Sequence, residues 1–278
     1  MRLYLCGVRG STPAPGADFL RYGGHTSCVA LAHDGAARPV LVLDAGTGLR
    51  QVTGLLGGRP FEGTILLTHL HWDHVHGLPF FTAGDRDGAR VSLLLPEQED
   101  GASAQEALAK GMSPPHFPIG PDGLRGSWTF GTVAPGPFKA EGFTVEARAI
   151  PHKGGATLGY RVSDGSRAIA YLPDHCPTVL GPGPDGWGAY HRDALDLAAD
   201  ADLLIHDAFL LPDGGRRRGG LRARGGRLRD RAGAAGRGAA GPAHAPQAGP
   251  HRRRARHAGG PRRGAAGRGH RGGGGRGH

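Results

Sequence analysis

The segment His69–His76 concentrates side chains that bind metal ions. In "THLHWDHVHG" four histidines and one aspartate follow directly on an apolar run. Residues two apart in an extended chain point to the same side, so His69 and His71 should leave the strand end together. The glycine and proline that follow require a turn, which lets Asp73 and His74 point to a neighbouring position. Imidazole and carboxylate suit borderline divalent ions such as Zn²⁺. A polar loop with surface histidines is the alternative.

The elements that must position these residues are short strands and a few helices. Apolar runs bounded by turn residues predict strands at Leu3–Cys6, Ser27–Ala32, Pro39–Asp44, Thr64–Thr68, Val91–Leu95, Phe143–Ala149, Leu158–Val162, Ala168–Leu172 and Leu203–His206. Polar turns predict two hairpins, one between Ser27–Ala32 and Pro39–Asp44 and the other between Leu158–Val162 and Ala168–Leu172. Helical patterns cover Gly77–Ala83, Ala102–Gly111 and Arg192–Ala199. Many strands, interspersed helices and no internal repeat predict an α/β sandwich of mixed sheets with outer helices.

The basic charge of the 278-residue chain lies in its last part. Residues 214–278 hold 18 arginines, 21 glycines and a single acid, Asp230. Removing them from the 34 basic and 24 acidic residues of the chain leaves 16 and 23, a net charge of −7 for residues 1–213. We therefore predict an acidic folded domain over 1–213, for which a nucleic-acid partner is possible but not favoured.

The segment 214–278 has too few apolar residues to fold by itself. Leu221 and Leu228 are its only large aliphatic residues, and it has no aromatic residue. Ordering a backbone costs on the order of 1–2 kcal/mol per residue, so we predict that this tail is disordered. It is either an Arg/Gly-rich nucleic-acid-binding extension or the product of a reading-frame shift near Asp213 in a GC-rich gene. The shift is favoured, because such extensions interleave aromatic residues for stacking.

Cysteine use and the N-terminal segment predict a cytoplasmic protein. Cys6, Cys28 and Cys176 form neither an even set nor a CxxC motif. The apolar run in "MRLYLCGVRG" is too short for a signal sequence, and no segment is long enough to span a membrane. The sequence does not decide the oligomeric state, and a homodimer is compatible with it.

The motifs together resemble the metallo-β-lactamase superfamily, in its branch of ribonuclease Z and related phosphodiesterases. "THLHWDHVHGLPF" is similar to the signature of that branch, and the similarity extends from about residue 1 to 211. The other segments that carry it are "GVRGSTPAPG…RYGGHTSCV", "LVLDAGTGLR", "IPHKGGATLGYRV", "AIAYLPDH" and "DLLIHDAFL". His25 departs from the pattern, since relatives usually have Asn there. The resemblance implies a four-layer αββα sandwich of two mixed sheets, with its C-terminal part missing or disordered here.

The resemblance also implies a centre of two divalent metal ions, with Zn²⁺ favoured and Mn²⁺ the alternative. The first ion would be held by His69, His71 and His152, the second by Asp73 and His74, with Asp174 bridging the two. Asp44 would orient a ligand imidazole; a simple strand-end turn is its alternative. Catalytic roles are implied for Asp73, which would steer a metal-bridged hydroxide, and for His206 and Asp207. We expect His33, His76 and His175 to be surface or rim residues, and Cys176 to serve packing.

Hydrolysis of a phosphodiester is the reaction that the resemblance implies, through two ions that activate a shared water. Lactones, thioesters and β-lactams stay open as substrates, because a fold does not choose its substrate. Many ribonuclease Z enzymes carry a long tRNA-gripping arm between the elements that here hold His152 and Asp174. Only 22 positions separate these two residues. A small or cyclic phosphodiester is therefore predicted as substrate, with tRNA 3′-end processing as the alternative.

The family's last strand should supply one more metal ligand, and the Arg-rich segment stands in its place. Three hypotheses follow. The protein is an active two-metal phosphodiesterase completed by a histidine of the tail, a catalytically impaired metal-binding remnant, or a nucleic-acid-binding protein that uses the tail. The DNA sequence around codons 205–220 would decide whether the frame has shifted.

Overall fold

A computed structural model of the chain describes residues 1–184 and 188–207. The predicted tail, 214–278, and the end of the predicted folded domain at 213 lie outside the described residues. Among the described residues, no helix combines the length and the apolar character that crossing a membrane requires.

Eleven strands form two mixed sheets in the described part of the chain. They are β1 (Arg2–Gly7), β2 (Cys28–Ala32), β3 (Leu41–Leu43), β4 (Glu62–Leu66), β5 (Arg90–Pro96), β6 (Ser127–Val133), β7 (Gly136–Ala140), β8 (Phe143–Ala149), β9 (Leu158–Ser163), β10 (Ala168–Leu172) and β11 (Leu203–His206). The first sheet has the order β1-β2-β3-β4-β5-β6, with antiparallel pairing from β1 to β3 and parallel pairing from β3 to β6. The second has the order β11-β10-β9-β8-β7, and only its β10–β11 pair is parallel.

The helices are short. They are α1 (Leu49–Leu55), α2 (Trp72–Val75), α3 (Ala104–Ala109) and α4 (Arg192–Ala198), with 3-10 turns at Ala17–Phe19, Leu78–Phe80, Pro121–Gly123 and Pro177–Leu180. A capping box starts α3: Ser103 accepts from the backbone N–H of Glu106, whose carboxylate accepts from the N–H of Ser103. At the C-terminal end of α4, the guanidinium of Arg161 on β9 donates to the carbonyl groups of Leu197 and Ala199.

Three apolar cores separate four layers. Alternation along β3 sends Leu41 and Leu43 towards the second sheet, where they join a core with Phe143 and Tyr160. Val42, between them, faces the opposite side. That side holds a core of strand residues with residues of α1 and α3, namely Val42, Ile65, Val91, Leu93, Leu49, Val52, Ala104 and Leu108. A third core packs α4 on the second sheet through Ala170, Leu172, Leu195 and Leu197. The predicted αββα sandwich of two mixed sheets is confirmed.

The two sheets are tied together where β4 ends. The hydroxyl of Tyr160 donates to the carbonyl of Leu67 over 2.7 Å, and the backbone N–H of Leu158 donates to the carbonyl of Thr68 over 2.9 Å. The hydroxyl of Tyr171 donates to Asp44 over 2.8 Å. Strand ends of both sheets therefore meet at the edge that carries the histidine-rich segment.

Most predicted elements are present, with some differences. Both predicted hairpins form, β2–β3 and β9–β10. The helix predicted at Gly77–Ala83 is wrong: only Leu78–Phe80 is helical, as a 3-10 turn, because the backbone leaves the helical region at Phe81, whose ψ is 79°. The segment before it forms α2, where a turn was expected. The pattern analysis missed α1, β6 and β7.

Candidate metal centre

The histidine-rich segment leaves β4 in extended form and then makes one helical turn. His71 has φ −64° and ψ 150° and is the N-cap of α2, so it and His69 lie on the extended part. Asp73 and His74 follow within the first turn of α2. The chain therefore presents two histidines from an extended segment and an acid–histidine pair from a helix start.

Four side chains converge in a first group. His69 Nε2 lies 3.0 Å from His71 Nδ1, which lies 3.1 Å from His152 Nε2. Asp174 Oδ2 lies 3.4 Å from both His69 Nε2 and His152 Nε2. The ligand atoms of all four lie within 4.8 Å of one another. His152 comes from the loop after β8, and Asp174 from the loop after β10.

A second group shares Asp174 with the first. Oδ2 of Asp174 lies 3.4 Å from Nε2 of His74, which lies 3.4 Å from Oδ2 of Asp73. These three ligand atoms also lie within 4.8 Å of one another. The structure thus brings together all six expected ligand residues, in the two groups that the resemblance implied.

The spacing of these atoms fits metal ions. Bonds of 2.0–2.1 Å to a tetrahedral Zn²⁺ place neighbouring ligand atoms roughly 3.3 Å apart, and the contacts above span 3.0–3.4 Å. The ligand types, imidazole nitrogen and carboxylate oxygen, are those that Zn²⁺ and related divalent ions accept. We conclude that the donor set fits two ions with a shared carboxylate.

The protonation states also fit. Burial lowers the pKa of His71, with a further contribution from His69, and burial lowers the pKa of His152 to about 4. Burial works against ionisation of Asp174, but hydrogen bonds with His69 and His74 hold its pKa far below the ordinary value. Neutral imidazoles and ionised carboxylates are the forms that bind metal ions.

His74 carries a proton where an ion would bind. Burial opposes its protonation, yet the charge of Asp44 and the hydrogen bond with Asp174 raise the pKa of His74 well above its ordinary value. Its Nδ1 contacts Asp44, so its Nε2 proton points between Asp73 and Asp174. A metal ion at this position would replace that proton.

Asp44 controls two of the histidines. It is fully buried, and one of its carboxylate oxygens accepts from His74 Nδ1 over 2.7 Å. The hydroxyl of Thr68 also donates to Asp44, over 2.9 Å, so its oxygen must accept from His69 Nδ1 over 3.0 Å. Both histidines therefore hold a proton on Nδ1 and turn Nε2, the nitrogen that would bind an ion, to the centre. The predicted orienting contact of Asp44 is seen in the structure with His74, and through Thr68 it extends to His69.

Some supporting residues were missed by the sequence analysis. Tyr171 donates to Asp44, and the backbone N–H of Ser11 donates to Asp73 Oδ2 over 2.8 Å. A tyrosine within the apolar strand "AIAYL" could have been noticed, because a buried tyrosine hydroxyl usually has a hydrogen-bond partner. Nothing in the sequence pattern points to Ser11.

Two glycines allow α2 to approach the loop after β3. A Cβ on Gly77 would lie 2.1 Å from the carbonyl oxygen of Gly46, and a Cβ on Gly46 would lie 2.2 Å from the carbonyl oxygen of Asp73. The backbone N–H of Ala45 donates to the carbonyl of His74, and that of Gly77 to the carbonyl of Ala45. The glycine of the Gly-Leu-Pro that follows the histidines is therefore required by this close packing.

The predicted catalytic residues His206 and Asp207 are outside both groups. His206 Nδ1 lies 2.8 Å from the carbonyl oxygen of Asp207, and its Nε2 lies 3.3 Å from His175 Nδ1. The backbone N–H of Asp207 donates to the carbonyl of Leu172. The prediction that His175 is a surface or rim residue is wrong: it is 2 % exposed, because it points inward from the loop that carries Asp174.

Other flagged residues lie away from the centre. His76 is exposed and stacks on Trp72, and His33 stacks on Phe143. His25 Nδ1 lies 3.3 Å from Thr47 Oγ1, a local turn contact.

The comparison with protein families agrees with this centre. Residues 40–218 match the model of the beta-lactamase superfamily domain. The chain belongs to this superfamily. The resemblance seen in the motifs is thereby confirmed, and the protein is a hydrolase of the metallo-β-lactamase fold, with a centre for divalent metal ions.

The superfamily relatives include a ribonuclease Z. The chain is 29% identical over 234 residues to the ribonuclease Z of Salinibacter ruber (strain DSM 13855 / M31), covering 68% of this chain and 69% of the relative. Among solved structures, the metallo-β-lactamase fold protein YhfI of Bacillus subtilis has a TM-score of 0.49 at 18% identity, covering 73% of this chain and 69% of YhfI. A diphosphatase of the PhnP family has a TM-score of 0.48 at 19% identity, with 73% and 72% covered.

Proposed function

We propose that this hydrolase is a zinc-dependent phosphodiesterase that cleaves a small or cyclic phosphodiester, with Mn²⁺ as the alternative ion. The observation that carries the proposal is the arrangement of six ligand residues in two groups that share Asp174. His69, His71 and His152 would hold one ion with it, and Asp73 and His74 the other. Two such ions, when bound, would lower the pKa of a water molecule and stabilise negative charge on the attacking and leaving oxygens of an in-line displacement.

The residues of the chain orient this chemistry. Asp44 fixes the ligand nitrogen of His74 directly, and that of His69 through Thr68. The backbone N–H of Ser11 holds the carboxylate of Asp73 in place. We assign Asp73 to accept a hydrogen bond from the attacking water and so direct its lone pair at phosphorus.

Two observations favour a small substrate. His152 and Asp174 are joined by the hairpin of β9 and β10, whose turn is closed by Asp164 accepting from the backbone N–H groups of Ser166 and Arg167. No arm for gripping an RNA extends from this connection. The acidic charge of residues 1–213 also disfavours a polyanion, since affinity for a phosphate backbone depends on its neutralisation by Lys and Arg.

Processing of tRNA 3′ ends is the second candidate, favoured by the similarity to a ribonuclease Z. Both candidates cleave phosphodiesters, so the test must separate them by substrate. The metal-loaded chain should be assayed with bis(p-nitrophenyl) phosphate, a cyclic nucleotide, a tRNA precursor and a β-lactam.

We expect hydrolysis of the small diesters and poor cleavage of the tRNA precursor. The variant His71→Ala should lose the activity, whereas His76→Ala, which changes an exposed histidine outside both groups, should keep it. Efficient tRNA cleavage without small-diester hydrolysis would establish the second candidate. Two bound ions with no hydrolysis of any substrate would identify an impaired remnant.

A further inference from the structure

His175 and His206 form a buried pair beside the metal centre. His175 immediately follows Asp174 and is 2 % exposed, and His206, at the end of β11, is 8 % exposed. His175 Nδ1 and His206 Nε2 are 3.3 Å apart, and the ring centroids are 5.4 Å apart at an interplanar angle of 76°. The rings therefore meet edge to face with two nitrogens in hydrogen-bond contact.

The contacts fix which nitrogen donates in this pair. His206 Nδ1 faces the carbonyl oxygen of Asp207 at 2.8 Å, and a carbonyl oxygen only accepts. His206 Nδ1 must therefore carry a proton. In a neutral ring, His206 Nε2 then has the lone pair and accepts the Nδ1 proton of His175. The order of donation runs from His175 to His206 to the carbonyl of Asp207.

Both ring nitrogens of His206 thus have protein partners, so its ring serves to hold a neighbour in place. That neighbour belongs to the loop that carries Asp174, the carboxylate shared by both groups. The same loop is held on its other side, where the backbone N–H of Cys176 donates to the carbonyl of Pro151, directly before His152. Parallel pairing of Leu172 with His206 places the end of β11 beside the start of the loop.

We propose that His206, acting through His175, is a positioning residue that holds the bridging carboxylate of Asp174 in place for both metal ions. This inference rests on the proposed function, because it requires Asp174 to be a metal ligand. It gives His206 a role other than transferring a proton to or from the substrate. The hydrogen bond from His175 Nδ1 is its essential contact.

Substitutions at His175 can distinguish the effect of losing this hydrogen bond from the effect of changing the volume of the side chain. The amide nitrogen of Asn takes the place of Nδ1, and that of Gln the place of Nε2. His175→Asn therefore keeps the donor to His206, whereas His175→Gln moves it and His175→Phe removes it. Zinc affinity of the full chain should be measured by competition with a chromophoric chelator, with circular dichroism of each metal-free variant as the folding control.

We expect His175→Phe and His175→Gln to weaken binding by about 10-fold or more, the scale for losing a group that supports a metal ligand. His175→Asn should stay within about 3-fold of the parent. The double variant His175→Phe/His206→Phe should bind no more weakly than either single variant, because the two residues act as one unit. Equal affinities for the Asn and Gln variants, or additive losses in the double variant, would overturn the inference.

Imidazole ¹⁵N spectra of the zinc-loaded protein supply a second measurement that does not depend on turnover. His206 should keep the Nδ1–H tautomer in every variant, because the carbonyl of Asp207 fixes it. Its Nε2 resonance should stay near the parent position in His175→Asn and shift in His175→Phe, where Nε2 loses its hydrogen-bond donor. An unchanged His206 spectrum in His175→Phe would refute the contact. If the parent itself bound no zinc, the proposed function would fail; parent-like zinc binding in all variants would refute the positioning role alone.

Discussion

Replacing Asp44 with Asn should force His74 into the tautomer that cannot bind an ion. The carboxylate accepts from His74 Nδ1 and Tyr171 at one oxygen and from the backbone N–H of Thr68 at the other. The hydroxyl of Thr68 lies within hydrogen-bond distance of both oxygens. An amide nitrogen facing His74 would donate to Nδ1 and force the proton onto Nε2. An amide nitrogen facing Thr68 would meet the buried backbone N–H of that residue and leave it without an acceptor, so the first orientation is preferred.

The size of the effect follows from these contacts. In the first orientation His74 must give up the neutral tautomer that binds an ion. In the second orientation, with the amide nitrogen facing Thr68, the buried backbone N–H of Thr68 loses its acceptor. A buried donor left without an acceptor costs about 1–3 kcal/mol, which corresponds to roughly 5- to 150-fold in an equilibrium constant. That cost favours the first orientation, in which His74 loses its ligand tautomer. We expect Asp44→Asn to lower zinc affinity by about 10- to 100-fold, the scale for losing a group that supports a metal ligand.

The assay is a zinc competition titration of the parent, Asp44→Asn and Tyr171→Phe, together with urea unfolding of the metal-free proteins. Tyr171→Phe removes a donor to the same oxygen and leaves both histidine tautomers as they are. It should reduce the free energy of unfolding by about 1 kcal/mol and change zinc affinity little. If Asp44→Asn bound zinc as tightly as Tyr171→Phe, control of the tautomers by Asp44 would be refuted.

The remaining predictions concern ligands, packing and the chain end. His69→Ala/His71→Ala should remove most bound zinc or manganese; parent-like metal content by elemental analysis would contradict the centre. Gly77→Ala should also lower metal content, since its Cβ would lie 2.1 Å from a carbonyl oxygen and displace α2; full occupancy would exclude that packing role. Arg161→Ala should cost about 2 kcal/mol of unfolding free energy in urea, because its guanidinium donates to carbonyl groups at the end of α4; no change would show that those bonds contribute nothing. Finally, the four-ligand group should keep its ion against a chelator longer than the three-ligand group. A chain restored to the family's frame after Asp213 should gain at least ~10-fold in activity. Equal retention of both ions and no gain in activity would count against a missing ligand.

The strands and the ligand segment could be predicted because their signals are local. Alternating or continuous apolar runs mark the strands, and β8, β10 and β11 lie within a residue of their predicted bounds. Four of the ligand residues are close in the chain, so strand and turn geometry nearly suffice to predict that their side chains converge. These residues are His69, His71, Asp73 and His74. The α/β sandwich with outer helices follows from many strands with few helices between them, whereas its four-layer order was implied by the resemblance to the superfamily.

The missed elements have weak local signals. The sequence of α1, LRQVTGL, contains a glycine and two β-branched residues, all poor helix formers. The strands β6 and β7 lie at the edges of their sheets, so fewer of their residues are buried and the apolar alternation is faint. Gly136 and Pro137 on β7 are also residues typical of turns.

The contacts that tune the centre join distant parts of the chain. Tyr171 reaches Asp44 across 127 residues, and His175 reaches His206 across 31. A single sequence carries no record of such pairs, and the inward direction of His175 depends on how the loop after β10 turns. The burial of His175 could therefore be seen only in the structure.

Asp44 shows that a backbone role and a chemical role need not be alternatives. Its φ of +59° lies in the left-handed region, where Asp and Asn are tolerated better than most residues, so it is a turn residue at the end of β3. Its carboxylate also accepts from His74 and, through Thr68, sets the proton of His69. Asn satisfies the first requirement and fails the second. Substitution by Asn therefore leaves the turn intact and tests the carboxylate alone, whereas substitution by Ala would disturb both.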